Sequence, residues 1–364
     1  MVNRAAAGTL IAAVSTLSCA GSEPTESRSQ PVIHGADDRR DYYQVDDAAL
    51  QSVMQQSVVA LIPNAYLRDG ALADDVVPSY GEAETLCEGQ PFAEQPAAAF
   101  CSGVLVDYDL VLTAGHCVRA LALADFSVVF DYYFAEADRL ALGSSSVYAG
   151  REVPTFRRDP PGQEPRLDFG FIRLARPVDD TRRPLAVHTQ QSKLEPAQPL
   201  LAIGASGGLP LKLDRGSSLR DPRAAAADYF TATSDTSRGS SGGPALDAAL
   251  TVVGVLSRGG SDFMAEGVCN VEATLSDGAP VEEQYTYAHR AVQQLCAEST
   301  SSLCRSDCGS PCEARGPVTA SDAGCSIVEA RNGRSAPLSF IVFAFGLVSW
   351  VLTQRRWRRC LPHD

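Results

Sequence analysis

The sequence predicts an all-β protein built from antiparallel barrels or a sandwich, and three observations carry that expectation. Short apolar runs recur between turn residues at 57–62, 102–113, 126–134, 169–174, 199–203 and 251–256. No long amphipathic helix separates them, so the alternating rhythm of a parallel sheet is missing. One late helix is expected over 287–296, where Ala288, Ala291, Val292 and Leu295 recur at helical spacing, and it closes the domain. With 364 residues, 45% of them hydrophobic and 21% charged, the chain can bury a sizeable core.

Each flank of this domain has its own character. Residues 1–20 join one basic side chain, Arg4, to an apolar stretch and small residues around Cys19, the pattern of an export signal peptide. Two processing readings stand side by side, cleavage after Ala20 or lipid modification of Cys19. Residues 21–50 are polar, rich in Asp and Arg, and read as a leader and lead-in to a domain spanning 51–297. Residues 298–336 are rich in Ser, Gly, Cys and Asp and read as a cross-linked stalk. The apolar run 338–353, with Pro337 and Gln354 at its ends, reads as a hydrophobic transmembrane or sorting helix at 337–354 ahead of a basic tail at 355–364. Arg355, Arg356, Arg358 and Arg359 then favour membrane insertion with the arginines inside.

Charge and cysteine content narrow the function classes. The balance of 31 Lys and Arg against 44 Asp and Glu, a net charge of -13, repels phosphate backbones and excludes nucleic acid as an expected partner. Eleven cysteines suit an oxidising compartment. Cys304, Cys308, Cys312 and Cys325 cluster late in the chain without a histidine among them, so disulfides are expected there rather than zinc. No phosphate loop or dinucleotide motif occurs, and no cofactor or metal is expected.

Three segments carry chemistry. Thr113-Ala114-Gly115-His116-Cys117 places a histidine after a strand and a small-residue turn, with Cys101 upstream. Leu167-Asp168-Phe169 sets a carboxylate at the mouth of an apolar run, where burial is costly unless the group is hydrogen-bonded. Gly239-Ser240-Ser241-Gly242-Gly243-Pro244 supplies a hydroxyl on a tight turn whose N–H groups can converge on a developing oxyanion. The order His, Asp, Ser argues against the G-x-S-x-G elbow of α/β-hydrolases, in which the acid and the histidine follow the serine.

The histidine motif and the Ser-Gly-Gly-Pro ending resemble those of trypsin-like serine endopeptidases, across roughly residues 32–297. The resemblance implies two antiparallel six-stranded β-barrels of the chymotrypsin kind with a C-terminal helix. It implies a serine-type endopeptidase in which Ser241 is the nucleophile, His116 the general base and Asp168 the group that orients the histidine, acting on protein or peptide substrates. The N–H groups of Gly239 and Ser241 would form the oxyanion hole, and a Cys101–Cys117 disulfide would fix the histidine loop. Val253 to Gly259 resembles the strand that lines the substrate pocket, with Ser257 supporting Asp168 and Gly259 meeting substrate backbone. Asp235, six residues ahead of Ser241, falls where a pocket-floor carboxylate would select Arg or Lys.

Val32 to Arg39 is similar to the start of bacterial glutamyl endopeptidases, although Leu256 stands where that branch has a specificity histidine. Ser240 stands where trypsin relatives carry an aspartate that pairs with a newly cut N-terminus, so the site is expected to form without cleavage at Val32. Gly324-Cys325-Ser326, the apolar run and the arginines resemble a myxobacterial C-terminal sorting signal, which implies an envelope or surface location and contact with sorting or membrane-anchoring machinery. A catalytically silent protease-fold binding module at the cell envelope is the alternative.

Overall fold

A computed structural model describes residues 33–191, 193–275, 280 and 283–304. The expected signal peptide, Val32, the later part of the expected stalk, the expected hydrophobic helix and the basic tail lie outside the described residues. Among the described residues no helix is long and apolar enough to cross a membrane.

Fifteen strands build the two sheets that matter for the site. The early ones are β1 (Arg39–Asp41), β2 (Val58–Pro63), β3 (Cys101–Asp107), β4 (Leu110–Thr113), β5 (Phe126–Val129), β6 (Val147–Glu152), β7 (Phe156–Arg158) and β8 (Asp168–Leu174). The later ones are β9 (Leu201–Gly204), β10 (Lys212–Asp214), β11 (Ser218–Asp221), β12 (Tyr229–Thr233), β13 (Pro244–Leu246), β14 (Val252–Arg258) and β15 (Gln284–Tyr287). The first sheet runs β6-β5-β2-β3-β4-β8-β7, and β6 also pairs with β8, which closes a six-stranded barrel. The second runs β11-β12-β15-β14-β13-β9-β10-β1. Every pairing in both sheets is antiparallel.

The fold is thus mostly β and chymotrypsin-like, with one correction to the expected pair of six-stranded barrels. The second sheet is a half-barrel of eight strands whose ladder does not close, although the chain just ahead of β9 meets β11 through an isolated bridge between Pro199 and Ser218 and through hydrogen bonds of the Ala197, Leu200 and Leu219 N–H groups. The additional edge strand β1 comes from the lead-in, which pairs with β10 instead of standing apart from the fold.

Alternation along the strands explains how both sheets share one core. Side chains on successive residues point to opposite faces. On β2, Val59 and Leu61 fill the first barrel together with Leu105, Val111 and Ile172. Val58, Ala60 and Ile62 point the other way, into a cluster that also takes Leu211, Leu213, Leu246 and Val255 from the second sheet. The inside of the second sheet is packed by Leu219, Phe230, Val253, Tyr285 and Tyr287. Because both faces of β2 are covered, this strand reads as a continuous apolar run, and β8 is buried along its whole length with Asp168 and Arg173 paired at its ends.

Helix α1 (Ala48–Gln56) starts at Asp47, whose carboxylate accepts the N–H groups of Ala49 and Leu50 at 2.9 and 3.3 Å. The expected C-terminal helix is present as α2 (Ala288–Glu298), which buries Ala288, Ala291, Val292 and Leu295. A disulfide from Cys296 to Cys304 ties its last turn to the chain that follows.

Candidate active site

The register of β8 against its neighbours sets the first half of the site. Gly170 pairs with Thr113 on β4, and Asp168 pairs with Arg158 on β7, so the start of β8 lies beside the turn that leaves β4. That turn passes so close to the next strands that a Cβ on Gly115 would come within 1.9 Å of the Arg157 carbonyl oxygen and 2.7 Å of that of Phe169. Only glycine permits the approach. The turn delivers His116 onto Asp168: the His116 backbone N–H donates to Asp168 Oδ1 at 3.0 Å, and His116 Nδ1 lies 3.1 Å from Oδ2.

Asp168 is buried, while the imidazole stays about a quarter exposed. A carboxylate facing Nδ1 favours the tautomer with the proton there and leaves Nε2 with a free lone pair, the form a general base requires. The Asp168 backbone N–H donates to Thr286 Oγ1 at 3.1 Å, which holds the strand end against the second sheet. Cys101 and Cys117 form the expected disulfide at the foot of the turn.

The second half of the site is the turn 237–243. Gly239 and Gly242 sit at φ +98° and +84°, conformations that side chains with a Cβ rarely adopt. Ser102 on β3 staples this turn across the two sheets. Its N–H donates to the Ser241 carbonyl oxygen at 2.7 Å and its hydroxyl to that of Gly239 at 2.8 Å, while the Ala205 N–H donates to the same hydroxyl. With both carbonyls turned inward, the N–H groups of Gly239 and Ser241 are left without a hydrogen-bond partner among the described residues. Two such donors flanking one hydroxyl can receive a tetrahedral oxyanion.

His116 and Ser241 meet through their neighbours. The Ser241 carbonyl oxygen lies 3.6 Å from Cys117 Sγ, a contact only, because a disulfide sulfur has no proton to give. The Ser241 hydroxyl and the His116 ring are not hydrogen-bonded to each other. Catalytic contacts of this kind are often open without substrate and tighten when it binds.

The remaining residues singled out in the sequence take other places. Ser257 does not support Asp168: its hydroxyl donates to the Gln284 carbonyl oxygen at 2.8 Å, and the side chain nearest to that role is Arg258, whose Nη2 lies 3.7 Å from Asp168 Oδ2. Position 258 was missed because a charge at a strand end does not reveal which face it takes. Gly259 does line the cleft beside His116, a space of about 720 Å³.

Asp235 is not among the residues lining that cleft. It is buried, and its two oxygens accept the backbone N–H groups of His34 and Asp38, each at 2.8 Å. Burial above all, with the neighbouring Asp214 charge second, pushes its carboxyl up to about 7. Ser240 is buried and its hydroxyl has no partner.

Neither cluster of potential ligands suits a metal. Cys101 and Cys117, beside His116, are consumed by their disulfide. In the group Asp38, Asp214 and Asp235, the last two already accept protein donors on their carboxylates, Asp214 from Gly216, Ser217 and Asp235.

The structure is similar to that of the VesB protease of Vibrio cholerae, at 15% identity over 73% of this chain and 67% of that one, with a TM-score of 0.44. It is also similar to two inactivated protease paralogues of the scabies mite. S-I1 is 15% identical over 70% of this chain and 96% of its own, with a TM-score of 0.43. S-D1 is 17% identical over 54% and 85%, with a TM-score of 0.38. No curated protein sequence matches the chain. Residues 101–255, the stretch that holds His116, Asp168 and Ser241, match the family model of the trypsin-like peptidase domain.

Proposed function

We propose that this chain is a serine endopeptidase that cleaves peptide bonds through an acyl-enzyme intermediate. The observation that carries the reading is the pair of half-sites: a histidine whose Nδ1 faces a buried carboxylate, beside a serine flanked by two unpartnered N–H groups. His116 Nε2 takes the Ser241 proton as the hydroxyl oxygen attacks the scissile carbonyl carbon. Negative charge then gathers on the former carbonyl oxygen, where the Gly239 and Ser241 N–H groups meet it. Collapse expels the amine, which receives its proton from His116, and Asp168 stabilises the imidazolium in between. Water repeats the sequence on the ester and frees Ser241. Export, and retention at the envelope by the C-terminal tail, belong to the same reading.

The competing reading is a silent binding module of the same fold, favoured by the absence of a hydrogen bond between the His116 ring and the Ser241 hydroxyl. Hydrolysis of a fluorogenic peptide library separates the two. The parent chain is expected to cleave, and Ser241→Ala to lose on the order of 10⁵–10⁶ in kcat with its thermal unfolding unchanged. Equal rates for parent and variant would exclude the peptidase.

A further inference from the structure

The cleft beside His116 is lined on one side by three arginines, Arg158, Arg166 and Arg258. Two of them hold buried nitrogen atoms without a partner, Arg166 Nε and Arg258 Nη1. Such atoms cost free energy unless something fills them. The third orphan in the same lining is an acceptor, Gln284 Oε1.

The carboxylates of this lining are already engaged. Asp159 accepts Arg157 Nε at 2.8 Å and the Leu167 N–H at 3.0 Å. Asp168 holds His116, with Arg258 Nη2 at 3.7 Å from Oδ2, the oxygen that also faces His116 Nδ1. Arg258 Nη2 also donates to the Asp159 carbonyl oxygen at 2.9 Å, while the buried Nη1 has no partner. Among the described residues no ion pair engages the side chains of Arg158 or Arg166.

We infer that this cleft is a subsite for an acidic side chain of the substrate, with Arg258 and Arg166 as its specificity-determining residues. A substrate carboxylate supplies the acceptor that Arg166 Nε and Arg258 Nη1 lack, and a substrate backbone N–H supplies the donor that Gln284 Oε1 lacks. Burial holds the Arg258 guanidinium below its ordinary value, and Arg166 and Arg158 push the same way against the pull of Asp168. A bound anion relieves that repulsion. Guanidinium groups in a partly enclosed space discriminate Glu from its neutral isostere Gln more sharply than exposed ones. Position 258 therefore has two neighbours, the oriented Asp168 and the substrate anion, and it couples recognition to the catalytic half-site.

The inference rests on the peptidase reading for its peptide ligand, so its test uses binding without turnover. Fluorescent octapeptides carrying a single Glu, or Gln in its place, at each position in turn are titrated against the Ser241→Ala chain by anisotropy. At one register the Glu peptide is expected to bind about tenfold or more tightly than its Gln partner, and less so as salt is raised. Adding Arg258→Gln should bring that ratio to within about twofold, and Arg166→Gln, on a half-exposed side chain, should lower it even if Arg258→Gln folds poorly. Equal binding of Glu and Gln at every register, or a preference that survives both substitutions, overturns the subsite. Turnover by the parent chain is read separately. A Glu preference without any turnover removes the peptidase reading and leaves the subsite standing, and turnover without a Glu preference does the reverse.

Discussion

Asp235 illustrates how a single residue can be legible in type and illegible in role. Its place six residues ahead of the nucleophile marks it from the sequence alone. Its partners, His34 and Asp38, lie about two hundred positions away in the chain, beyond the reach of any local pattern. The consequence is a pH effect of definite sign. The carboxyl titrates near 7 in the folded state against roughly 3.9 when unfolded, so between these values the folded chain holds a proton that the unfolded chain does not. This contribution to stability is full below about pH 4 and falls as the pH rises towards 7, by up to roughly 4 kcal/mol. His289 works in the opposite sense. Burial, helped by the Arg290 charge, holds it down to about 4, so its contribution is lost as the pH falls from about 6.5. The comparison must therefore be made against a variant. Urea unfolding at several values between pH 4.5 and 7 should show Asp235→Asn gaining stability relative to the parent as the pH rises, and parallel curves would contradict it.

At the scale of elements, the turn carrying His116 is the part most fully written in the sequence. Gly115, His116 and the flanking Cys101 and Cys117 all take the expected places, because each is dictated by a local need: close approach, a strand end, a covalent staple. Removing the staple by replacing both Cys101 and Cys117 with Ser opens a loop of sixteen residues and should cost about 3 kcal/mol in urea unfolding. Turnover should fall further than the remaining folded fraction explains, since the imidazole loses its fixed base. A variant as stable as the parent would show that the strands alone define the turn. The other two bridges among the described residues were not legible. Cys304 reads as a stalk cysteine but pairs with Cys296, and Cys87 finds Cys269 at a separation of 182, because pairing follows distance in space. Ser102, which staples the nucleophile turn, was hidden for the same reason: on the page it is one polar residue in an apolar strand.

At the scale of the whole described domain, two sheets share a core between their facing strands, and a cleft opens beside His116. All-β character was evident from run lengths, but the second sheet's failure to close was not, since closure depends on pairing between strands far apart in the sequence, here with β1 at one edge and β11 at the other. The lead-in enters this architecture directly. The Ile33 N–H donates to the Ala273 carbonyl oxygen at 3.0 Å, β1 pairs with β10, and buried Arg39 reaches both Asp37 and Glu272. Anchoring of this kind does not need a free amino group at residue 33, and Ser240 offers no charge to pair with one. The account therefore expects a site that is competent in the unprocessed chain. Mass spectrometry after treatment of that chain with a fluorophosphonate tests this most directly. One adduct is expected, on Ser241 and absent from His116→Ala; an adduct that forms only after cleavage near Val32, on another residue, or equally well without His116 would contradict a site competent before processing.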